Sequence, residues 1–278
     1  SRVVDLHLHS HHSDGTLAPG AVVELAASRG VDALALTDHD TLAGCAEARA
    51  SCQQAGLRFL AGVEMSASWR GRAIHVLGIE VDEAAPQLHA ALRGLRARRC
   101  ERIQAIGERL TRRSRLPGHE LAAEIIASAP VPTRMHFARL LVARDFSPDV
   151  QAAFDRWLGR NTPGEVPIEW PDLAPTLAVL AAAKARIVLA HPHRYRLSAG
   201  ALRQLIDEFR SLGGEAIEVS IAGMGRRDAD RLAGLARRFA LAGSSGSDFH
   251  DPAVPWHLPG RFAKLPADLE HIGSRLGC

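Results

Sequence analysis

Lysine is almost missing from this chain: of 34 basic residues among 278, only Lys184 and Lys264 are not arginine, and the single tyrosine is Tyr195. Coding bias accounts for the arginine total, but guanidinium clamps phosphate bidentately, so each arginine is judged by its position. The net charge of +3 gives no argument for nucleic acid by itself. Cysteine is scarce too. Cys45, Cys52, Cys100 and Cys278 lack zinc-finger spacing and suggest no disulfide framework, which points to a reducing cytoplasm. No apolar run reaches membrane length, and the first residues read as a strand rather than a leader, so a soluble protein with no membrane partner is expected. Repeats and low-complexity linkers are also absent.

What is present is strand–helix alternation. Short β-like runs fall at Val3–His9, Ala33–Thr37, Phe59–Met65, Ile74–Val81, Ile187–His191, Ala216–Ser220 and Ala240–Ser244. Amphipathic stretches such as Pro19–Arg29, Leu42–Ala55, Ala199–Leu212 and Arg227–Phe239 lie between several of them. The order predicts an α/β fold of parallel strands with crossover helices, as a seven-stranded barrel or an open sheet. Between about Leu88 and Pro171 the pattern turns wholly helical: Leu88, Leu92, Leu95, Ile103, Ile106 and Leu110 keep three-and-four spacing. So long a stretch cannot be a plain loop. The expected division is a first barrel segment (1–87), a helical insertion (88–171) and a second barrel segment (172–278).

Strand alternation places Asp5, His7 and His9 on one face and Val4, Leu6 and Leu8 on the other. Two imidazoles two residues apart can grip one ion, although a lone His-x-His is weak evidence. Further clusters accompany it: "LALTDHD" (Asp38, His39, Asp40), "GVEMSA" (Glu64), "AIHVLG" (His75), "AHPHR" (His191, His193) and "GSDFHDP" (Asp248, His250). Each histidine alone reads as an ordinary satisfied side chain. Together, at strand ends that would converge on the loop face of a barrel, they read as a metal site. With imidazole and carboxylate but no thiolate, the donors suit Mn²⁺, Fe²⁺ or catalytic Zn²⁺, and their number suits two or three ions. Clustered divalent ions of this kind serve phosphate-ester hydrolysis.

These motifs, with "DLHLHSHHSDGTLAP" at the front, resemble the PHP (polymerase and histidinol phosphatase) domain within the amidohydrolase superfamily. The resemblance implies a distorted seven-stranded (β/α) barrel with a trinuclear centre. It implies one ion at His7, His9, Glu64 and Asp248, a second at Glu64, His75 and His191, and a third at Asp14, His39 and His250. Asp14 stands where some relatives have histidine, which favours a harder ion such as Mn²⁺. No polymerase region is present, and "PTRMHFARLLV" resembles a subgroup of stand-alone phosphoesterases. Its members act on nucleotides, removing the 3′-phosphate of nucleoside 3′,5′-bisphosphates, and some relatives degrade short RNA from the 5′ end. Where those have Arg-Pro-His, this chain has Arg134-Met135-His136.

Arg134 is therefore expected to clamp substrate phosphate, with His136 as a further contact and His193 as general acid or phosphate contact. Asp5, Asp38 and Asp40 are expected to support the ligands or shape turns. The nine arginines of Arg93–Arg115 read as a solvated helix face before a nucleic-acid track. For Trp69, Tyr195 and Trp256, core packing is expected before base stacking. Alternative functions are a 5′–3′ exonuclease on short RNA, a histidinol-phosphate phosphatase, or a non-catalytic metal-bound nucleotide sensor.

Overall fold

The computed structural model describes residues 1–278 apart from Ile168. Seven strands form one nearly closed sheet in sequence order. They are β1 (Val4–Leu8), β2 (Ala33–Leu36), β3 (Arg58–Trp69), β4 (Arg72–Ile79), β5 (Arg186–Leu189), β6 (Ala216–Ile221) and β7 (Ala242–Gly246). The segment after β7 closes the ring: His9 donates its amide to the Phe249 carbonyl (2.9 Å) and Asp248 donates to that of His7 (2.8 Å).

One expectation fails here. β4 runs antiparallel to both β3 and β5, while the other neighbouring strands pair in parallel. No helix links β3 to β4. Arg70 and Gly71 turn the chain in two residues with φ of 50° and 73°, the left-handed pair that a tight hairpin uses.

Crossover helices α1 (Pro19–Ser28), α2 (Cys45–Ala55), α7 (Leu173–Ala182), α8 (Ala199–Ser211) and α9 (Arg226–Arg238) cover the outside. Between β4 and α7 lie α3 (Pro86–Arg113), α4 (Gly118–Ser128), α5 (Arg134–Ala143) and α6 (Val150–Ala153), the last continued by a π-helical turn at Phe154–Leu158. At 1.5 Å per residue, α3 is about 42 Å long. Its first half packs Leu88, Leu92 and Leu95 against the barrel. Its second half puts Ile103, Ile106 and Leu110 into a separate core with α4 and α5.

The barrel interior is apolar at one end. Val4, Leu6, Leu60, Leu77 and Val188 meet Ile272 and Leu276 of the C-terminal 3₁₀ turn there. Leu8 instead packs outward on Val22, Val23 and Ala26. Leu6 and Leu8 therefore do not share a face, because the β1–β2 register shifts between Asp5 and Leu8. Such an irregularity re-aims side chains, and here it breaks the expected grouping of Asp5 with His7.

Candidate metal centre

The barrel's other end gathers the histidines. His7 Nε2 lies 3.0 Å from Glu64 Oε2 and 3.1 Å from Asp248 Oδ1, and His9 Nε2 lies 3.1 Å from each of the same two oxygens. The other oxygen of Glu64 faces a second group, 3.2 Å from both His75 Nδ1 and His191 Nε2. Those two nitrogens are 3.4 Å apart. A third group forms around Asp14, with Oδ1 at 3.0 Å from His250 Nε2 and Oδ2 at 3.6 Å from His39 Nε2. The structure thus brings together His7, His9, Asp14, His39, Glu64, His75, His191, Asp248 and His250, with Glu64 between two groups. His39 also approaches Glu64, its Nδ1 at 3.4 Å from Oε2.

A divalent ion fits this donor set. Nitrogen and oxygen ligands roughly 2.1 Å from one ion stand about 3 Å apart, and these do. Among the described residues, buried His9 Nδ1 has no hydrogen-bond partner, which is costly unless something else satisfies it. Burial opposes charge on the three carboxylates, yet pairing with their neighbours reverses it, whereas at His39 and His75 burial prevails and lowers the ring pKa. Glu64 is held well below the usual carboxylate range by His7, His39 and His75 despite its burial. Asp248 is held low by His7 and Arg194, and Asp14 by His250 and His39, again against burial. Ionised carboxylates are the state that binds metal.

Sequence reading missed Glu218. It is fully buried in β6, its carboxylate lies 2.9 Å from His7 Nδ1, and it accepts the His191 amide at 2.8 Å. A carboxylate on Nδ1–H fixes the tautomer and leaves Nε2 free to coordinate. Its signal was an acid inside the apolar run "AIEVSI". His250 is set similarly, donating Nδ1–H to the Asp248 carbonyl (2.8 Å). β7 approaches His7 so closely that a Cβ at Gly246 would fall 2.5 Å from the His7 Cβ.

The three expected supporting aspartates act on backbone and loops. Asp5 accepts amides from Ser247 and Gly260 (both 2.9 Å), and burial pushes it up to about 6. Asp38 holds the loop carrying Asp14 through Ser10 and Ser13. Asp40 takes the amide and hydroxyl of Ser66 and an ion pair from Arg99 at 2.6 Å. Among the described residues, neither Asp38 nor Asp40 bonds to the His39 ring.

Arg99 is the exception to the solvated face read for the arginine run, on which Arg93, Arg98, Arg112, Arg113 and Arg115 are exposed. It occupies the slot between Leu95 and Ile103 where the helical pattern asks for an apolar side chain, and it is buried. One turn on, Arg102 lines a pocket with Arg134, Asp14, His39 and His75. Burial, then repulsion from Arg134 and Arg99, pulls Arg102 down to about 9. Burial, then repulsion from Arg99, lowers Arg134 as well. Two desolvated guanidiniums beside a carboxylate–imidazole cluster make a ready anion site. Arg134 is braced by the Leu158 carbonyl (3.2 Å) and lies over the Phe154 ring.

His136 is engaged through one ring nitrogen: its Nδ1 accepts the Thr133 amide at 3.0 Å in the cap of α5. His193 does not share a strand face with His191, because β5 ends at Leu189 and His191 turns the chain left-handed (φ 31°) into a 3₁₀ turn. Burial, with Arg194 and His191 nearby, lowers His193 to about 4. Arg194, unremarked in the sequence, pairs with Asp248. Of the aromatics, Trp69 is buried and donates to Glu208 (2.7 Å), whereas Trp256 is 56% exposed rather than packed. No helix among the described residues is long and apolar enough to cross a membrane.

Comparison with known proteins agrees with this geometry. A 5′-3′ exoribonuclease of Haemophilus influenzae is 38% identical over 248 residues, covering 89% of this chain and 90% of that protein. A 3′,5′-nucleoside bisphosphate phosphatase of Chromobacterium violaceum is 36% identical over 273 residues, covering 98% and 96%. A solved amidohydrolase from the same organism, with bound sulfate and no metal, superposes with a TM-score of 0.87 at 34% identity, covering 99% of this chain and 96% of that one. Residues 5–163 match the PHP domain, and with relatives this similar along nearly the whole length, the chain belongs to the PHP domain family.

Proposed function

We propose that the chain is a metal-dependent phosphoesterase that hydrolyses the 3′-phosphate of nucleoside 3′,5′-bisphosphates, yielding nucleoside 5′-monophosphate and inorganic phosphate. The observation that carries this reading is Glu64, whose two oxygens face two donor groups beside a pocket lined by Arg102 and Arg134. We assign three divalent ions: one to His7, His9, Glu64 and Asp248, one to Glu64, His75 and His191, and one to Asp14, His39 and His250. Mn²⁺ is favoured by the carboxylate of Asp14, with Zn²⁺ or Fe²⁺ as alternatives. Bound there, such ions supply an activated water and charge neutralisation at phosphorus.

The side chains do the rest. Arg134 and Arg102 hold nonbridging phosphate oxygens in a desolvated pocket, where a charge-assisted bond is strong. His193, neutral at pH 7, serves as a hydrogen-bond donor to phosphate rather than as a proton source. Free cysteines fit a cytoplasmic enzyme.

A second reading, exonuclease on short RNA, is favoured by the name of the Haemophilus relative. The chemistry is shared. In both substrates water adds to phosphorus and the bond to the ribose 3′ oxygen breaks, freeing a 5′-monophosphate. Only the group left on phosphorus differs.

Mn²⁺-loaded protein and adenosine 3′,5′-bisphosphate, followed by phosphorus NMR, provide the test. Inorganic phosphate and 5′-AMP are expected. Turnover of histidinol phosphate instead, or tight metal binding with no turnover of any ester, would overturn the reading.

A further inference from the structure

The chain has four tryptophans, and three of them carry a guanidinium over the ring. Arg70 lies 4.3 Å from the ring centre of Trp69, and Arg156 lies 4.7 Å from that of Trp157. Arg99 and Arg102 lie 5.2 and 5.7 Å from that of Trp170. Trp256 is the exception. Among the described residues no cation covers its face, its indole N–H makes no hydrogen bond, and the side chain stands exposed. Arg261, in the same loop, donates to the Pro255 carbonyl instead (2.6 Å).

A single exposed apolar side chain needs no explanation. The position of this one is what informs. Trp256 sits in a 3₁₀ turn (Pro255–His257) on the segment after β7 that also carries Asp248 and His250. His257 pins the turn by donating Nδ1–H to the Ser247 carbonyl (3.0 Å), one residue before Asp248. The turn closes on itself through the Val254 and His257 amides, which donate to the Asp251 and Val254 carbonyls (3.0 and 3.1 Å). The indole borders Gly223, just past the end of β6, where a Cβ would lie 3.8 Å from Trp256 Cδ1. Gly223 is left-handed (φ 78°) and exposed, so bare backbone rather than a side chain meets the ring. Because β6 and β7 are parallel, both features lie at the metal end of the barrel. Trp256 is thus a fixed, open aromatic plate on the β6–β7 rim, whereas Arg102 and Arg134 stand with His39 and His75 on the β2–β4 side.

A nucleoside bisphosphate has two anionic groups and one flat π-surface. Guanidiniums hold the first, and an aromatic face accepts the second whichever base it is. We infer that Trp256 is the platform on which the substrate's nucleobase stacks, so that the nucleotide spans the mouth from Arg102 and Arg134 to the β6–β7 rim. Purines, with the larger ring surface, are then favoured over pyrimidines. The inference rests on the phosphoesterase reading above and places the base, which the metal ligands and arginines leave unassigned.

The test compares 2′-deoxyadenosine 3′,5′-bisphosphate with its abasic counterpart, 1,2-dideoxyribose 3,5-bisphosphate, on Mn²⁺-loaded wild type, W256A and W256F. Wild type should prefer the base-bearing substrate in kcat/KM by about tenfold or more, the fold-change of one base–aromatic stack. W256A should erase most of that preference, chiefly through KM, and stay within about twofold of wild type on the abasic substrate, which has no ring to lose. W256F should keep most of the preference. Equal loss on both substrates would make Trp256 a brace for the loop carrying Asp248 and His250. No loss on either would put the base elsewhere, and a wild type indifferent to the base would have no base subsite at all. Each of these overturns the inference and leaves the phosphoesterase reading standing. Turnover of neither substrate by wild type sinks that reading, and the fluorescence of the loaded protein titrated with 5′-AMP then decides the platform by itself. Saturable quenching in wild type that is absent from W256F supports it. Quenching absent from wild type, or persisting in W256F, overturns it.

Discussion

The strand ends and the α3–α6 segment both face the same pocket, yet they are built on different terms. On the strands, imidazoles and carboxylates stand about 3 Å apart, and several are held from behind, as His7 is by Glu218. On the helices the contribution is cationic. Arg99 is locked to Asp40, whereas Arg102 and Arg134 are pressed into a partly desolvated wall next to one another. The lesson is a division of labour. A rigid sheet fixes donor atoms where small displacements matter, and helices carry longer side chains that reach an anion from outside.

That division predicts different failures on the two sides. Asp248→Asn should have the largest effect: metal content by elemental analysis and turnover should fall together, by more than the roughly 100-fold that marks supporting residues. Retained metal with lost turnover would mean that Asp248 acts by some other route. Glu218→Gln should follow, with metal affinity weakened about 10- to 100-fold in a chelator competition, since His7 loses the anion that fixes its tautomer. On the helical side Arg134→Ala should leave metal content alone and raise KM about tenfold or more, the worth of a hydrogen bond between charged groups. Unchanged KM would remove Arg134 from substrate binding.

The smallest effect concerns pH. Asp5 is buried and titrates at about 6 in the fold, above its ordinary 3.8. A carboxyl raised in this way favours the folded state while protonated, so its contribution is full below 3.8 and lost as pH rises through about 6. Metal-free wild type should therefore lose stability relative to Asp5→Asn over that window, by roughly 1 kcal/mol per pH unit in urea unfolding. Parallel profiles would show that Asp5 does not titrate there.

Much of the strand side was legible because its signal is local. His-x-His and Asp-x-His pairs sit where apolar runs end, and His75 stood out at the beginning of its run. The reversed β4 explains that position: an antiparallel strand presents its first residues, not its last, to the end of the barrel where its neighbours finish. The reversal itself was marked by "WRGR", a two-residue turn signal too short to weigh against a pattern of crossovers. Leu6 and Leu8 were misgrouped because the shift in register belongs to the pairing of two strands and leaves no trace in one. Arg99 and Glu218 were hidden differently. Each occupies an apolar position in its own element, and only the partner, Asp40 or His7, reveals why a charge is tolerated there.

The chain's only tyrosine is hinged between the two histidines of one proposed ion. The Tyr195 hydroxyl accepts the His75 amide (2.9 Å) and donates to the Ala190 carbonyl (2.6 Å), and its ring centre lies 5.7 Å from that of His191. Fluorotyrosine incorporated throughout the protein would therefore give one ¹⁹F resonance, needing no assignment, at the seam between β4 and the turn after β5. Titrating metal against that line would count binding events and exchange rates at a single address, a natural spectroscopic tag written by the scarcity of one residue type.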